Sequence, residues 1–158
     1  MREIINVYRK QKISVDSYIK TLIKSLPCDY IEESAKIFSR YNYIQLIYGV
    51  DDKFKQSTPT VYKKESDASQ IGNNKSHYFV KLNLDEDNIY ISNPYIHYKT
   101  GKASISVVHL VDSTYYVFDI DLIHLLEGLK LIEYNSFHDK VKRVVYLFGS
   151  TSLALVSI

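Results

Sequence analysis

The residues of this chain with the most evident potential for chemistry are its histidines and a pair of aspartates that precedes a predicted helix. Neither an HExxH pattern nor a Cys/His metal-ligand spacing relates the five histidines, which are His77, His97, His109, His124 and His138. The sequence also contains no GxSxG, Walker or GxGxxG motif. We therefore predict that the chain is not an enzyme, has no catalytic residue, and binds no cofactor and no metal.

Asp119 and Asp121 form this pair of aspartates. They lie two residues apart, so on a strand both side chains would point to one face. Such a pair is able to hold a divalent cation. The pair also precedes a predicted helix, and helix capping is the favoured interpretation of the same residues.

The composition is that of one folded domain. Hydrophobic residues make up 46% of the 158 positions, and the net charge is only +2. A chain without a strong basic field is not expected to bind nucleic acid. The 15 tyrosines and the absence of tryptophan are unusual, and tyrosine suits half-buried strands and pockets. The single Cys28 cannot form an intramolecular disulfide.

The N-terminal segment has the pattern of an amphipathic helix. Apolar residues at positions 15, 18, 19, 22, 23 and 26 follow a 3.6-residue period, which predicts one long helix over 2–26 that ends at Pro27. This helix is either a scaffold that packs on a sheet or a coiled-coil helix that forms a homodimer. Asp29 is a candidate cap for a second helix over 30–40.

The rest of the chain alternates in the manner of strands. Strands are predicted over 43–50, 54–62, 88–92, 103–110 and 115–118, and a helix over 121–129. Short turns between consecutive strands imply an antiparallel sheet. The predicted fold class is therefore α+β, an antiparallel sheet of about five strands with the long N-terminal helix packed on it and a closing helix after the last strand.

Five short motifs occur in order along the strands: KSHYF at 75–79, ISNPY at 91–95, Thr100-Gly101, ISVV at 105–108, and FDIDLIHLL at 118–126. Together they resemble the Cache/PDC family of PAS-like sensor domains, over roughly residues 2–130. Lys75 stands where that family usually has an arginine. The resemblance implies a PAS-like sheet and a sensory role.

The resemblance also implies a small pocket between the sheet and the loop 63–84. Its candidate ligand-binding residues are Lys75, His77, Tyr78, Tyr95 and Asp119. A lysine and tyrosine hydroxyls are able to offset the desolvation of a carboxylate, and an aspartate that of an ammonium group. The expected partner is thus a small-molecule ligand, an organic acid or an amino acid. Four of these five residues also have a structural interpretation: Asp119 as a helix cap, Tyr95 as core, and Lys75 and His77 as surface.

The C-terminus carries an uncharged apolar run, 144–158, directly after Lys140, Lys142 and Arg143. It is shorter than the roughly 20 residues that span a bilayer. We predict a sensor domain over 1–134, followed at 135–158 by a basic linker and the start of a transmembrane segment that tethers the chain to a membrane. The preceding positive charges would place residues 1–143 in the cytoplasm. A final buried strand or helix is the other interpretation.

The sequence thus predicts the ligand-binding domain of a membrane-tethered signalling protein. The alternative is a structural or dimerisation module of the same fold whose pocket is filled by its own tyrosines.

Overall fold

An antiparallel sheet forms the centre of the molecule. The computed structural model describes residues 2–135, 140–148 and 152–157. The strands of the central sheet are β1 (Ile44–Val50), β2 (Thr60–Tyr62), β3 (Ser66–Asp67), β4 (Ile89–Ile91), β5 (Tyr95–Ile96), β6 (Ala103–Val111) and β7 (Thr114–Asp121). Their order is β3-β2-β1-β7-β6-β4, with β5 paired to β6.

This strand order confirms the predicted fold class. The first strand, β1, lies in the middle of the sheet beside the last strand, β7, which is the PAS-like arrangement. The sheet has seven strands rather than about five. The additional strands β3 and β5 are each only two residues long, too short for a periodic signal in the sequence.

Two helices occupy the N-terminal segment that was predicted as one. Helix α1 spans Arg2–Lys10 and α2 spans Lys12–Ser25, with a turn at Gln11. The amide of Gln11 lies 3.1 Å from both the Val7 and the Tyr8 carbonyl oxygens. The buried stripe runs through positions 4, 7 and 8 and resumes at 15, so no apolar side chain holds the helix to the core at the break.

The second predicted helix begins later than expected. Helix α3 spans Ser34–Arg40, and residues 30–33 form turns. Glu33 rather than Asp29 is its N-terminal flanking residue, without a side-chain cap. Tyr30 in the preceding turn is 2% exposed, and its ring meets Phe118 edge-on with centroids 4.9 Å apart. Burial of this ring in the core, rather than capping, fixes the chain at this point.

The closing helix α4, Leu122–Gly128, follows β7 directly. Asp121 caps it: its Oδ1 accepts from the Ile123 amide at 3.0 Å, and the His124 amide lies at 3.5 Å. Capping therefore belongs to Asp121, whereas Asp119 lies within β7. The helix is buried through Leu122, Ile123, Leu125 and Leu126.

The two faces of the sheet have different roles. One face carries Ile47, Ile105 and Phe118, which pack with the helices in the main hydrophobic core. Because strand side chains alternate, the neighbouring residues Tyr48, Ser106 and Asp119 lie on the opposite face. That second face is covered by the chain between β1 and β6.

The cover is mostly irregular. The strand predicted over 54–62 is reduced to β2, with isolated bridges at Lys55 and Gln56, because Pro59 cannot donate to the sheet. A single turn of 3₁₀ helix spans Ser76–Tyr78. A second small core, Val50, Phe79, Val108 and Val117, fixes the cover to the sheet.

The C-terminal strands form a separate antiparallel sheet: β8 (Glu133–Asn135), β9 (Lys140–Phe148) and β10 (Ser152–Ser157). The described parts of the apolar run are thus extended, whereas the start of a transmembrane helix was predicted there. Residues 149–151 and 158 of that run lie outside the described residues. Among the described residues, none of the helices has the length and apolar character needed to cross a bilayer.

Candidate functional site

A cavity of about 690 Å³ lies between the second face of the sheet and its cover. The sheet contributes Leu46, Tyr48, Ser106, Val117 and Asp119, among others. The cover contributes side chains from the 3₁₀ turn and from the hairpin that contains β5. A cavity of this volume falls in the range of roughly 300–1,000 Å³ that is usual for small-molecule sites.

Asp119 forms the polar centre of the cavity wall. Its Oδ1 accepts a hydrogen bond from Ser106 Oγ at 2.8 Å, across the β6–β7 pair. Ser106 Oγ in turn lies 2.7 Å from the hydroxyl of Tyr95. Tyr95, Ser106 and Asp119 are thus connected by hydrogen bonds from β5 through β6 to β7.

His97 lies on the other side of the Asp119 carboxylate. Its Nδ1 accepts a hydrogen bond from the Lys99 backbone amide at 3.2 Å. In the neutral ring the proton is therefore on Nε2, which lies 3.8 Å from Asp119 Oδ2. This separation is too long for a direct hydrogen bond, so Oδ2 retains an acceptor position next to the cavity.

Burial dominates the ionisation of these groups. It raises the pKa of Asp119 above its usual range, although the hydrogen bond from Ser106, the charge of His97 and the polar hydroxyl of Tyr95 act in the opposite direction. Burial also raises the pKa of Tyr95 and of Tyr48, and the negative charge of Asp119 adds to both shifts. Both phenols are therefore neutral hydrogen-bond donors at physiological pH.

Lys75 brings a positive charge to the same cavity. Its Nζ lies 5.7 Å from the centroid of the Tyr48 ring and 5.6 Å from that of Tyr78. Its polar contact is a long one, 3.5 Å to Gln70 Oε1. Burial lowers the pKa of Lys75, and the charge of Lys99 lowers it further.

Lys75 has no carboxylate partner within the part of the chain that the structure describes. A partly desolvated ammonium group without a counter-ion is a site for an anion, because an added carboxylate offsets the cost of its desolvation. Lys99, another cavity residue, adds positive potential to that end. The cavity therefore has a cationic part at Lys75 and an acceptor part at Asp119.

The structure brings together four of the predicted site residues, Lys75, Tyr78, Tyr95 and Asp119, around one cavity. His77 is not among the residues that line it. Its ring contacts that of Tyr78 in a tilted arrangement with centroids 4.0 Å apart, and the side chain is exposed. Of these two neighbouring residues of the 3₁₀ turn, Tyr78 rather than His77 lines the cavity.

Sequence reasoning missed Tyr48, His97, Lys99 and Ser106. Tyr48 and Ser106 had a detectable signal, because each is a polar residue at an alternate position of a strand whose other face is buried. His97 and Lys99 had none, since the position of the β5 hairpin over the cavity depends on long-range pairing. Among the described residues, no group of three or more His, Cys, Asp or Glu side chains is arranged to hold a metal ion.

No family model and no curated protein matches the sequence. Among solved structures, the chain is similar to the YkuI protein of Bacillus subtilis, with an EAL domain, in complex with c-di-GMP and calcium. The identity is 17%, the TM-score is 0.49, and the match covers 79% of this chain and 34% of that chain. A domain assigned to a sensory box/GGDEF family protein from Vibrio parahaemolyticus matches at 12% identity and TM-score 0.49, over 84% of this chain and 63% of that chain.

The ligand-binding domain of the Campylobacter jejuni chemoreceptor Tlp3, in complex with 4-methylisoleucine, is also similar. The identity is 14% and the TM-score is 0.41, over 84% of this chain and 59% of that chain. This chain thus spans less than two thirds of the length of each of these proteins. At such identities and TM-scores the similarities assign no function, which must come from the cavity itself.

Proposed function

We propose that this domain is a small-molecule sensor, and that its ligand is a small organic acid or an amino acid bound in the cavity. The observation that carries the proposal is the partly buried ammonium group of Lys75, which has no carboxylate partner among the described residues and lines the same cavity as Asp119. No catalysis is proposed, because the Ser106 hydroxyl in the cavity donates to the Asp119 carboxylate rather than to a histidine base.

Each side chain has a distinct part in this proposal. Lys75 holds the carboxylate of the ligand, and the neutral phenol of Tyr48 donates a hydrogen bond to it, while the Tyr95 hydroxyl donates to Ser106 Oγ within the cavity wall. If the ligand carries an ammonium group, Asp119 Oδ2 accepts from it. An ammonium group next to Asp119 would stabilise the ionised carboxylate, so binding would be coupled to release of the Asp119 proton.

A thermal-shift screen of small organic acids and amino acids tests the proposal, because a bound ligand must raise the melting temperature by mass action. Lys75→Gln and Asp119→Asn should reduce the shift. The matched controls are Lys81→Gln and Asp52→Asn, which alter exposed residues outside the cavity. No shift with any compound, or equal losses in the control variants, would contradict the proposal.

The alternative function, a structural or dimerisation module, required a cavity filled by tyrosine side chains. The tyrosines line the walls of a cavity of about 690 Å³ instead. Dimerisation through the N-terminal helices is compatible with either function. Ile13 on α2 is 90% exposed and is a suitable residue for a test. Ile13→Asp should dissociate such a dimer in analytical ultracentrifugation.

Membrane tethering and a cytoplasmic position for residues 1–143 stay predictions from the apolar run. From these two predictions we propose a role in signalling across or at a membrane, in which ligand binding changes the position of the helices. Membrane fractionation of the native protein followed by alkaline extraction tests the tether. Recovery in the soluble fraction without extraction would contradict it.

A further inference from the structure

We propose that the ligand of this cavity is an aromatic acid, with its ring against the tyrosines of the walls and its acidic group on Lys75. The inference rests on the function proposed above and narrows the class of ligand. Of the 15 tyrosines in the chain, those that line this cavity are Tyr48, Tyr62, Tyr78, Tyr90, Tyr95 and Tyr98. Six tyrosine rings thus surround one space.

The orientation of two of these rings defines a place for a ligand ring. The faces of Tyr48 and Tyr78 are both turned towards the ammonium group of Lys75, at 5.7 and 5.6 Å. Tyr48 belongs to the sheet and Tyr78 to the cover. An acid that pairs with Lys75 would carry its ring to within reach of both faces, and aromatic rings attract one another at centroid separations of about 4.5–7 Å.

The mouth of the cavity presents apolar surface that the protein itself does not bury. Tyr78 is 64% exposed, Tyr98 is 83% exposed and Ile96 is 48% exposed, and all three line the cavity. A ligand that only has a short aliphatic chain would leave these side chains in water. A ring at the mouth would remove them from water, which adds a favourable hydrophobic contribution.

Hydrogen-bonding capacity points to the same class of ligand. The hydroxyls of Tyr48, Tyr62 and Tyr90 make no hydrogen bond to any residue that the structure describes. They add donors to the cavity wall, and donors require oxygen acceptors on the ligand. The cavity of about 690 Å³ has room for a ring in addition to the acidic group.

The test compares acids of equal charge that differ in their ring. Phenylacetate and indole-3-acetate are the aromatic probes, and cyclohexylacetate is the saturated control. Since the chain contains no tryptophan, the indole fluorescence comes from the probe alone and its change reports binding, and calorimetry gives the affinity of all three compounds. The aromatic acids should bind about tenfold more tightly than cyclohexylacetate, which simple hydrophobicity does not predict.

Variants at the exposed mouth residues separate ring contacts from folding. Tyr78→Leu combined with Tyr98→Leu should weaken phenylacetate by about tenfold and leave cyclohexylacetate unchanged, whereas the Phe replacements retain the ring and the affinity. Equal affinity for phenylacetate and cyclohexylacetate, with Lys75→Gln weakening both, would overturn this inference and leave the proposed function intact. Absence of binding by all three acids would overturn this inference alone, and the proposed function would be overturned only if the wider screen of acids and amino acids also gave no thermal shift.

Discussion

The two aspartates of β7 should have opposite effects on stability and on ligand binding, although they are two residues apart on one face. Asp121 is 2% exposed, caps α4, and its Oδ2 lies 2.7 Å from His124 Nδ1 and 3.6 Å from Lys102 Nζ. Asp119 lines the cavity and contacts no helix terminus. We predict that Asp121 contributes to folding and Asp119 to binding.

The magnitude follows from the contacts that each substitution removes. Asp121→Ala removes the acceptor for the first amides of α4, which lowers the free energy of unfolding by about 1–2 kcal/mol. It also deprives His124 and Lys102 of their buried partner, so the total loss is about 2–3 kcal/mol. For a domain of this size that corresponds to a decrease in Tm of roughly 5–10 °C. Asp121→Asn keeps an effective cap and should lose about half as much.

Asp119→Asn should have no destabilising effect at neutral pH. An asparagine oxygen is still able to accept from Ser106 Oγ, and the substitution removes a carboxylate whose ionised form is disfavoured by burial. Urea unfolding followed by circular dichroism gives the stabilities, and calorimetry with a ligand from the acid screen gives the affinities. Asp121→Ala should bind normally below its unfolding temperature, and Asp119→Asn should bind weakly.

The reasoning is refuted if Asp119→Asn is destabilised as strongly as Asp121→Ala, since Asp119 would then hold the fold together. It is also refuted if the two variants lose ligand affinity equally. Asp52→Asn, at an exposed turn, is the control for a general effect of charge removal.

Two further outcomes follow from the structure. Because burial raises the pKa of Asp119 above the 3.8 of an unperturbed carboxyl, the folded state binds this proton more tightly than the unfolded state. The stability of the wild-type protein relative to Asp119→Asn should therefore fall as pH rises from about 4 through the raised pKa. Urea unfolding of both proteins across this pH range measures the effect, and a stability difference that stays constant with pH would contradict the prediction. Gly49→Ala would place a Cβ 2.9 Å from Thr58 Cγ2 and should lower the free energy of unfolding by about 1–3 kcal/mol. Adding Thr58→Ser removes that methyl group, keeps the hydroxyl that accepts from the Gly49 amide, and should recover part of the stability. Absence of recovery would show that the clash lies elsewhere.

The sequence by itself determined the elements whose periodicity is long enough to be unambiguous. The apolar stripe of α2, the β-forming composition of β1, the alternation of β6 and the strand-to-helix junction at β7 all follow from local sequence. The antiparallel sheet followed from the short connections. These elements suffice for the fold class.

Short elements and irregular segments were decided by tertiary contacts. β3 and β5 have two residues each and form because a neighbouring strand offers its backbone groups. The break at Gln11 and the turn around Tyr30 depend on what lies opposite them in the core. No local pattern encodes a partner that is distant in sequence.

The site shows the same division. Lys75, Tyr78, Tyr95 and Asp119 were selected from the sequence motifs, and all four line the cavity. Which of two neighbouring aspartates caps the helix and which faces the cavity depends on where β7 ends, because only the residue that directly precedes α4 can reach its free amides. The sequence placed both on one face, and the tertiary structure assigned Asp121 to the helix and Asp119 to the cavity.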